Sequence, residues 1–326
     1  MIDAGDLSNQ PVVSILINNY NYGRFLGEAI DSALKQTYSK TEVIVVDDGS
    51  TDNSRDVIAK YGDRIITDLK SNGGQASAFN AGFKACTGDI ICILDSDDAF
   101  IPEKVSEIVE IFTSDSEIGW CYHTLNIFDV SLGKFLRSDP EGLPSRKIDF
   151  RSSIRTGKLP SFAPATSGLC FKRSVIEKIL PMPEAITHIS DYYVKWTALS
   201  LSPGFFLSKD LAIQKVHGGN MFTLRSDNQR LDARILILTG YWIRVNFPSL
   251  KKFADKLFGI GLGLYWRTGG VEAQYQKDVD QYFSLISPLK KVEIYLRASY
   301  HANQIFSVVR DFRLALFKKV TKQGVD

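Results

Sequence analysis

The run Ile90-Ile91-Cys92-Ile93-Leu94 ends abruptly in Asp95-Ser96-Asp97-Asp98, and this junction constrains the chain more than any other segment. A run that apolar reads as a strand buried on both faces, which a sheet supplies when helices cover both its sides. Three carboxylates so close repel one another unless a cation joins them. Hard divalent ions such as Mg2+ and Mn2+ take oxygen ligands, often one or two carboxylates completed by substrate phosphate oxygens. The alternative is a polar turn in which Asp97 or Asp98 caps the helix that follows Pro102.

The same grammar occurs earlier. Glu42-Val43-Ile44-Val45-Val46 gives way to Asp47-Asp48-Gly49-Ser50-Thr51-Asp52, and the apolar run from Val12 ends in Asn18-Asn19-Tyr20-Asn21-Tyr22-Gly23. Between these strands, Phe25 to Gln36 carries Ala29, Ile30, Ala33 and Leu34 at helical spacing, while Ser54 to Lys60 and Gln75 to Cys86 read as further helices. Arg64 to Leu69 reads as a short strand. Alternation of this kind predicts an α/β fold with a mostly parallel central sheet flanked by helices. Ligands of such sheets collect at the carboxyl ends of strands, so the polar strand ends point to one shared crevice. Asn72-Gly73-Gly74 before the Gln75 helix reads either as a plain loop or as backbone amides open to a phosphate or ribose.

Taken together, SILINNYN (14–21), EVIVVDDGSTD (42–52), SNGGQASAFNAGFKACTGD (71–89) and ICILDSDD (91–98) resemble the nucleotide-sugar domain of family 2 glycosyltransferases, which have the GT-A fold. The resemblance covers roughly the first two-thirds of the chain. It implies a catalytic domain at 1–222, with a nucleotide-sugar half at 1–100 and an acceptor half at 101–222. By the same resemblance, Asn18 and Tyr20 line a nucleoside pocket, Asp48 holds the nucleobase edge, and Asn72, Gly73 and Gly74 approach the donor. Asp97 then serves ribose or diphosphate and, with Asp98, the metal; Asp98 is the expected direct metal ligand, and Asp95 has a structural hydrogen-bonding part. The chain departs from the family pattern at Phe79, where an Arg often stands, and at Ser190, where a Glu usually precedes the acid.

In the acceptor half, a helix follows Pro102 to about Ser114, and Gly119 to Asp129 reads as a strand containing His123 as an ordinary residue. Residues 132–164, with four prolines, read as a long excursion and candidate acceptor-side lid. Thr166, Ser167 and Gly168 resemble the family's acceptor-side segment, and equally suit a capped turn. The resemblance makes Asp191 the catalytic base; an inverting transfer needs one base, with the leaving diphosphate neutralised by metal. Taken alone, Asp191 could simply cap the helix it begins. His217, in Val216-His217-Gly218-Gly219-Asn220-Met221, is placed near the metal, since neutral imidazole is a competent Mn2+ ligand.

Composition sets outer bounds. With 23% charged residues and a formal net charge of +2, the chain is neither disordered nor a nucleic-acid binder by overall charge. Cys86, Cys92, Cys121 and Cys170 show no CxxC spacing, so buried reduced thiols in a cytoplasmic protein are expected. Met1 to Gln10 is polar and acidic, unlike a signal peptide, and no apolar run approaches the roughly 20 residues that span a bilayer. Beyond 223 the pattern becomes a helical extension, with periodicity at Gln229–Val245 and Val292–Val320. Its last segment, from Leu289, carries eight Lys/Arg against three Asp/Glu, with Phe306, Phe312 and Phe317. That pattern suits a peripheral contact with an anionic membrane, or packing on the catalytic domain or on a second subunit of a homo-oligomer.

The expectation is an inverting, metal-dependent glycosyltransferase using Mn2+ or Mg2+. It moves a sugar from a nucleoside diphosphate sugar, of UDP type, to a hydroxyl of a glycan or lipid-linked acceptor. The alternatives are a non-catalytic sugar-nucleotide or glycan-binding protein of this fold, and a phospho-receiver domain built on Asp47-Asp48.

Overall fold

The computed structural model describes residues 10–160, 164–186, 190–220 and 228–303. The chain forms two compact units, Met1–Arg225 and Ser226–Asp326.

The first unit is built on a 10-stranded mixed sheet. Its first half alternates β1 (Val13–Asn19), α1 (Gly23–Leu34), β2 (Thr41–Asp48), α2 (Ser54–Ala59), β3 (Ile66–Lys70), α3 (Gln75–Ala85) and β4 (Ile90–Asp95). The pairings β1–β2, β2–β3 and β1–β4 are all parallel. Val13, Ile15, Ile17, Val43, Val45, Cys92 and Leu94 are buried on one face against Leu26, Ala29, Ile30 and Ala33 of α1. On the other face Gly82 of α3 lies so close that an added Cβ would meet Leu16 at 2.3 Å. These strands are apolar on both faces because both faces are covered.

The second half contains β5 (Ala99–Phe100), α4 (Lys104–Ser114), β6 (Trp120–Asp129), β7 (Lys134–Asp139), β8 (Arg146–Ile148), α5 (Arg151–Arg155), β9 (Leu169–Lys172), α6 (Arg173–Ile176), α7 (Asp191–Leu201) and β10 (Gly204–Val216). The sheet order is β3-β2-β1-β4-β9-β6-β10-β5, with β7 on β6 and β8 on β10. Here only β6–β10 is parallel; β9 runs antiparallel to both β4 and β6. Residues 132–164 are therefore not a structureless lid. Much of that stretch adds strands to the sheet, β7 beside β6 and β8 beside β10, and then forms α5, because backbone groups left by those strands find partners there. Residues 161–163 fall outside the described residues. His123 is fully buried, with Nδ1 on the Thr124 carbonyl, and all four cysteines are buried and free.

The second unit comprises α8 (Asn228–Asn246), α9 (Lys251–Arg267), α10 (Ala273–Ser284) and α11 (Pro288–Asn303). Its core joins Ile237, Phe258, Leu262, Tyr265, Tyr282, Ile294 and Ala298. Asp255, buried within it, is paired with Arg244 and accepts from Tyr282 at 2.6 Å. The helix expected to continue to Val320 lies outside the described residues beyond 303, as do Phe306, Phe312 and Phe317. No helix among the described residues is long and apolar enough to cross a membrane.

One carboxylate ties the parallel half together at its amino edge. Glu42 accepts from the hydroxyl of Ser14 on β1 and from Thr87 and Gly88 just before β4. Burial alone would raise its pKa, but the hydrogen bonds from Ser14, Thr87 and Gly88 outweigh it and hold Glu42 below the usual carboxylate range. A depressed carboxylate contributes stability above its unfolded pKa, and that contribution is lost as pH falls through the folded value. Glu42→Gln should therefore flatten the acid side of the stability curve, losing less stability than wild type between about pH 5 and pH 3. Chemical denaturation at a series of pH values measures this; parallel curves would show that Glu42 is not tuned as described.

Candidate active site

The chain leaves β1 outward to β2 and β3, then returns to place β4 on the other side of β1. That reversal opens a crevice at the carboxyl ends of β1 and β4, where sheets of this kind bind ligands. Asn18 on β1 pairs in register with Val46 of β2 and with Asp95 of β4. Its buried side-chain oxygen has no hydrogen-bond partner. Tyr20, just past the strand end, is 43% exposed.

Asp48, expected at a nucleobase edge, is engaged mainly with its own fold. Its Oδ1 accepts from Lys70 Nζ at 2.6 Å and Gly73 N at 2.9 Å, and its Oδ2 from Gly74 N at 2.8 Å. The carboxylate thereby shapes the Asn72–Gly74 loop, leaving an acceptor position on Oδ2. Gly49 permits this close approach: it has φ 78°, and a Cβ there would lie 2.5 Å from Asn72 N. Asn72 itself is exposed. The adjacent Asp47 accepts from Ser50, Arg55 and Asn19, whose hydrogen bonds overcome burial and lower its pKa. It belongs to the loop scaffold.

The four acids of the crevice divide by environment. Asp98, expected as the direct metal ligand, is 2% exposed, and both its oxygens are already held: Oδ2 accepts from Ser167 Oγ at 2.6 Å, Oδ1 from Lys215 N at 3.0 Å. Burial, then the charges of Asp97 and Asp95, raise its pKa well above the usual range. Asp97 instead meets His217 and Asn220. Its Oδ2 lies 3.2 Å from His217 Nε2 and accepts from Asn220 Nδ2 at 3.1 Å. Gly219 N lies 3.1 Å from His217 Nδ1 and Asn220 Nδ2 3.4 Å from Nε2, so the ring is held with Nε2 turned toward Asp97. The imidazole stacks on Phe25, with ring centroids 4.4 Å apart, and Tyr22 donates its hydroxyl to Gly219 O. Burial, with the nearby Asp97, Asp95 and Asp98, drives the Tyr22 phenol pKa upward. Of the residues expected at the metal, Asp98 is thus held on both oxygens by the fold, while Asp97 and His217 face each other.

Asp95 is pushed up to about 8 by burial first and then by Asp97 and Asp191, against a hydrogen bond from Thr166 and the charge of Lys195. Its expected structural part is visible in that Thr166 contact and in its backbone N–H, which donates to Ser167 Oγ. The acceptor-side expectation for Thr166, Ser167 and Gly168 changes accordingly. Ser167 is fully buried, bridging Asp95 and Asp98, and its carbonyl accepts from the buried Lys104 ammonium. Gly168 is packed so that a Cβ would meet the His123 carbonyl at 2.8 Å. Both support the acid cluster from beneath, and Thr166 contacts Asp95.

Asp191 begins α7 after the N-cap residue Ser190. Its Oδ2 pairs with Lys195 Nζ at 2.6 Å, one helical turn on, while its buried Oδ1 has no partner. Lys195 is itself almost fully buried and also donates to the Pro164 carbonyl. Ser190 N donates to Gln75 Oε1 at 2.7 Å, so the residue following the Asn72–Gly74 loop holds the amino end of α7. Phe79, in place of the expected Arg, is buried in α3. Sequence reasoning missed Lys195, Gln75 and Asn220; only Lys195, four residues after Asp191, carried a signal in its spacing.

Among the described residues, no three His, Cys, Asp or Glu side chains are grouped to hold a metal by themselves. One carboxylate and one imidazole do fit an ion whose coordination is completed by substrate phosphate oxygens.

The sequence pattern of glycosyl transferase family 2 matches residues 14–180. The chain belongs to that family. It is a family 2 glycosyltransferase with a GT-A-like fold. An uncharacterized glycosyltransferase of Nostoc is 40% identical over 214 residues, 64% of this chain and 66% of that protein. The hyaluronan synthase of Pasteurella multocida is 40% identical over 128 residues, which are 38% of this chain and 13% of the synthase. Relatives from Rickettsia typhi and Rickettsia prowazekii match over 32% of their length. Among solved structures, residues 1–349 of S. aureus TarS with UDP-GlcNAc align with TM-score 0.61 at 16% identity, over 93% of this chain and 92% of that one. Mannosyltransferase PcManGT of Pyrobaculum calidifontis, solved with GDP-Man and Mn2+, aligns at 0.50 with 18% identity, over 90% and 87%. The match removes the phospho-receiver alternative.

The arrangement makes Ser167 the support of the glycosyltransferase's acid cluster. Ser167→Ala would strand Asp98 Oδ2 and Asp95 N, so it should destabilise the catalytic unit by about 1–3 kcal/mol. Urea unfolding of the variant reads this directly; a loss below about 0.5 kcal/mol would place the support elsewhere.

Proposed function

We propose that the protein catalyses an inverting transfer from a UDP-type nucleoside diphosphate sugar to a hydroxyl of a glycan or lipid-linked acceptor. The observation that carries this reading is the buried, unpartnered Oδ1 of Asp191, whose other oxygen is fixed by Lys195. A carboxylate held in that way can accept the proton of an attacking hydroxyl, and an inverting transfer requires only one such base. Asn18, Tyr20 and the Asn72–Gly74 loop, shaped by Asp48, would receive the nucleoside. Asp97 and His217 would hold Mn2+ or Mg2+, which when bound supplies neutralisation of the diphosphate's charge. Asp98 and Ser167 fix the backbone from which Asp97 projects, and Gln75 keeps α7 and Asp191 in register with the donor loop.

Purified protein, Mn2+ and a panel of sugar nucleotides test the reading by release of nucleoside diphosphate. Asp191→Asn should cut turnover by about 10²–10⁴-fold while leaving UDP-induced thermal stabilisation intact. Full-rate turnover by Asp191→Asn would remove the base assignment.

A further inference from the structure

Helix α11 has two apolar faces. Ile294 and Ala298 are fully buried in the core of the helical unit. The opposite face carries Leu289, Val292, Leu296 and Tyr300 at spacings of three and four, which aligns them along one stripe. Their exposures are 85%, 56%, 68% and 57%, and Leu285, one turn earlier in sequence, is 51% exposed. Tyr295 and Trp266, stacked with ring centroids 5.9 Å apart, are 44% and 40% exposed. A soluble helix needs one apolar face to join its core; a second, contiguous and open, marks an interaction surface.

Charge selects the occupant. Residues 226–326 contain sixteen Lys/Arg and nine Asp/Glu, whereas the whole chain is only +2, so the basic excess is concentrated in this unit. The acidic side chain beside the stripe, Glu293, is paired with Lys290 and Arg297. Joining two copies through this face would bring two strongly positive units together. An anionic bilayer instead accepts both the apolar stripe and the positive charge, with Tyr and Trp suited to the headgroup level. We propose that the outward face of α11 is a docking surface for an anionic lipid bilayer, engaged in the membrane plane through Leu289, Val292, Leu296 and Tyr300.

The test needs neither nucleotide nor acceptor, so its outcome is separate from that of the transfer reading. The full-length protein is floated with phosphatidylcholine vesicles with and without phosphatidylglycerol, and its mass is followed by light scattering. Binding should require phosphatidylglycerol and weaken with salt, and Leu289→Glu with Leu296→Glu should reduce it at least about tenfold. Because both leucines are exposed, the double variant should keep the wild-type melting curve. Leu289→Ser with Leu296→Ser, which adds no charge, should also weaken binding. Absence of binding to the anionic vesicles, or binding that both double variants retain, would overturn the proposal. A dimer that the Glu variant splits would overturn it too, assigning the face to a second copy.

Discussion

The site hangs on one buried carboxylate. Asp98 joins three separate pieces of chain: the end of β4 from which it comes, the Thr166–Gly168 turn through Ser167, and β10 through Lys215 N. A carboxylate without partners in that position would be costly, and with two donors it becomes a rivet. It fixes the backbone just before it, so Asp97 is presented to the crevice, and it anchors β10 two residues before His217. The pairing of Asp97 with His217, contributed by residues 120 apart in sequence, follows from that junction.

This division of labour explains how several acids coexist in one crevice. Buried cations answer part of the charge: the Lys104 ammonium lies under the cluster on the Ser167 carbonyl, and Lys195 pairs with Asp191. Asp95 keeps its proton to a higher pH than an ordinary carboxyl, which lowers the repulsion further. Among the buried side-chain atoms without a hydrogen-bond partner in the described residues, Asn18 Oδ1 and Asp191 Oδ1 belong to residues expected to meet substrate. Native proteins rarely leave such atoms unpaired without a functional reason.

How much of this was legible depended on the kind of signal. The parallel half was readable because β1, β2 and β4 are continuous apolar runs, and helix periodicity separates them. The acceptor half was readable only in part: α4 and β6 follow their patterns, but β7 and β8 carry no apolar run and β10 is interrupted by a register shift around Ser208–Leu211. Sequence could place Asp97 and Asp98 at a strand end but could not say which faces inward, since adjacent residues in a turn are oriented by backbone hydrogen bonds made far away. In sequence, Ser167 and Gly168 read equally as room for a ligand and as a capped turn. They are small because Asp98 and the His123 carbonyl press against them. Gln75 is an uncharged side chain whose partner, Ser190, lies 115 residues away, and no local pattern announces such a link.

On the proposed function, Asp97 and not its neighbour Asp98 would meet the diphosphate together with His217. The most direct measurement is a Mn2+ titration followed by electron paramagnetic resonance with UDP present, comparing wild type with Asp97→Asn and His217→Ala. Wild type should show UDP-dependent loss of the free Mn2+ signal, Asp97→Asn should abolish that loss, and His217→Ala should weaken it by about 10–100-fold. Undiminished Mn2+ binding by Asp97→Asn would contradict the account.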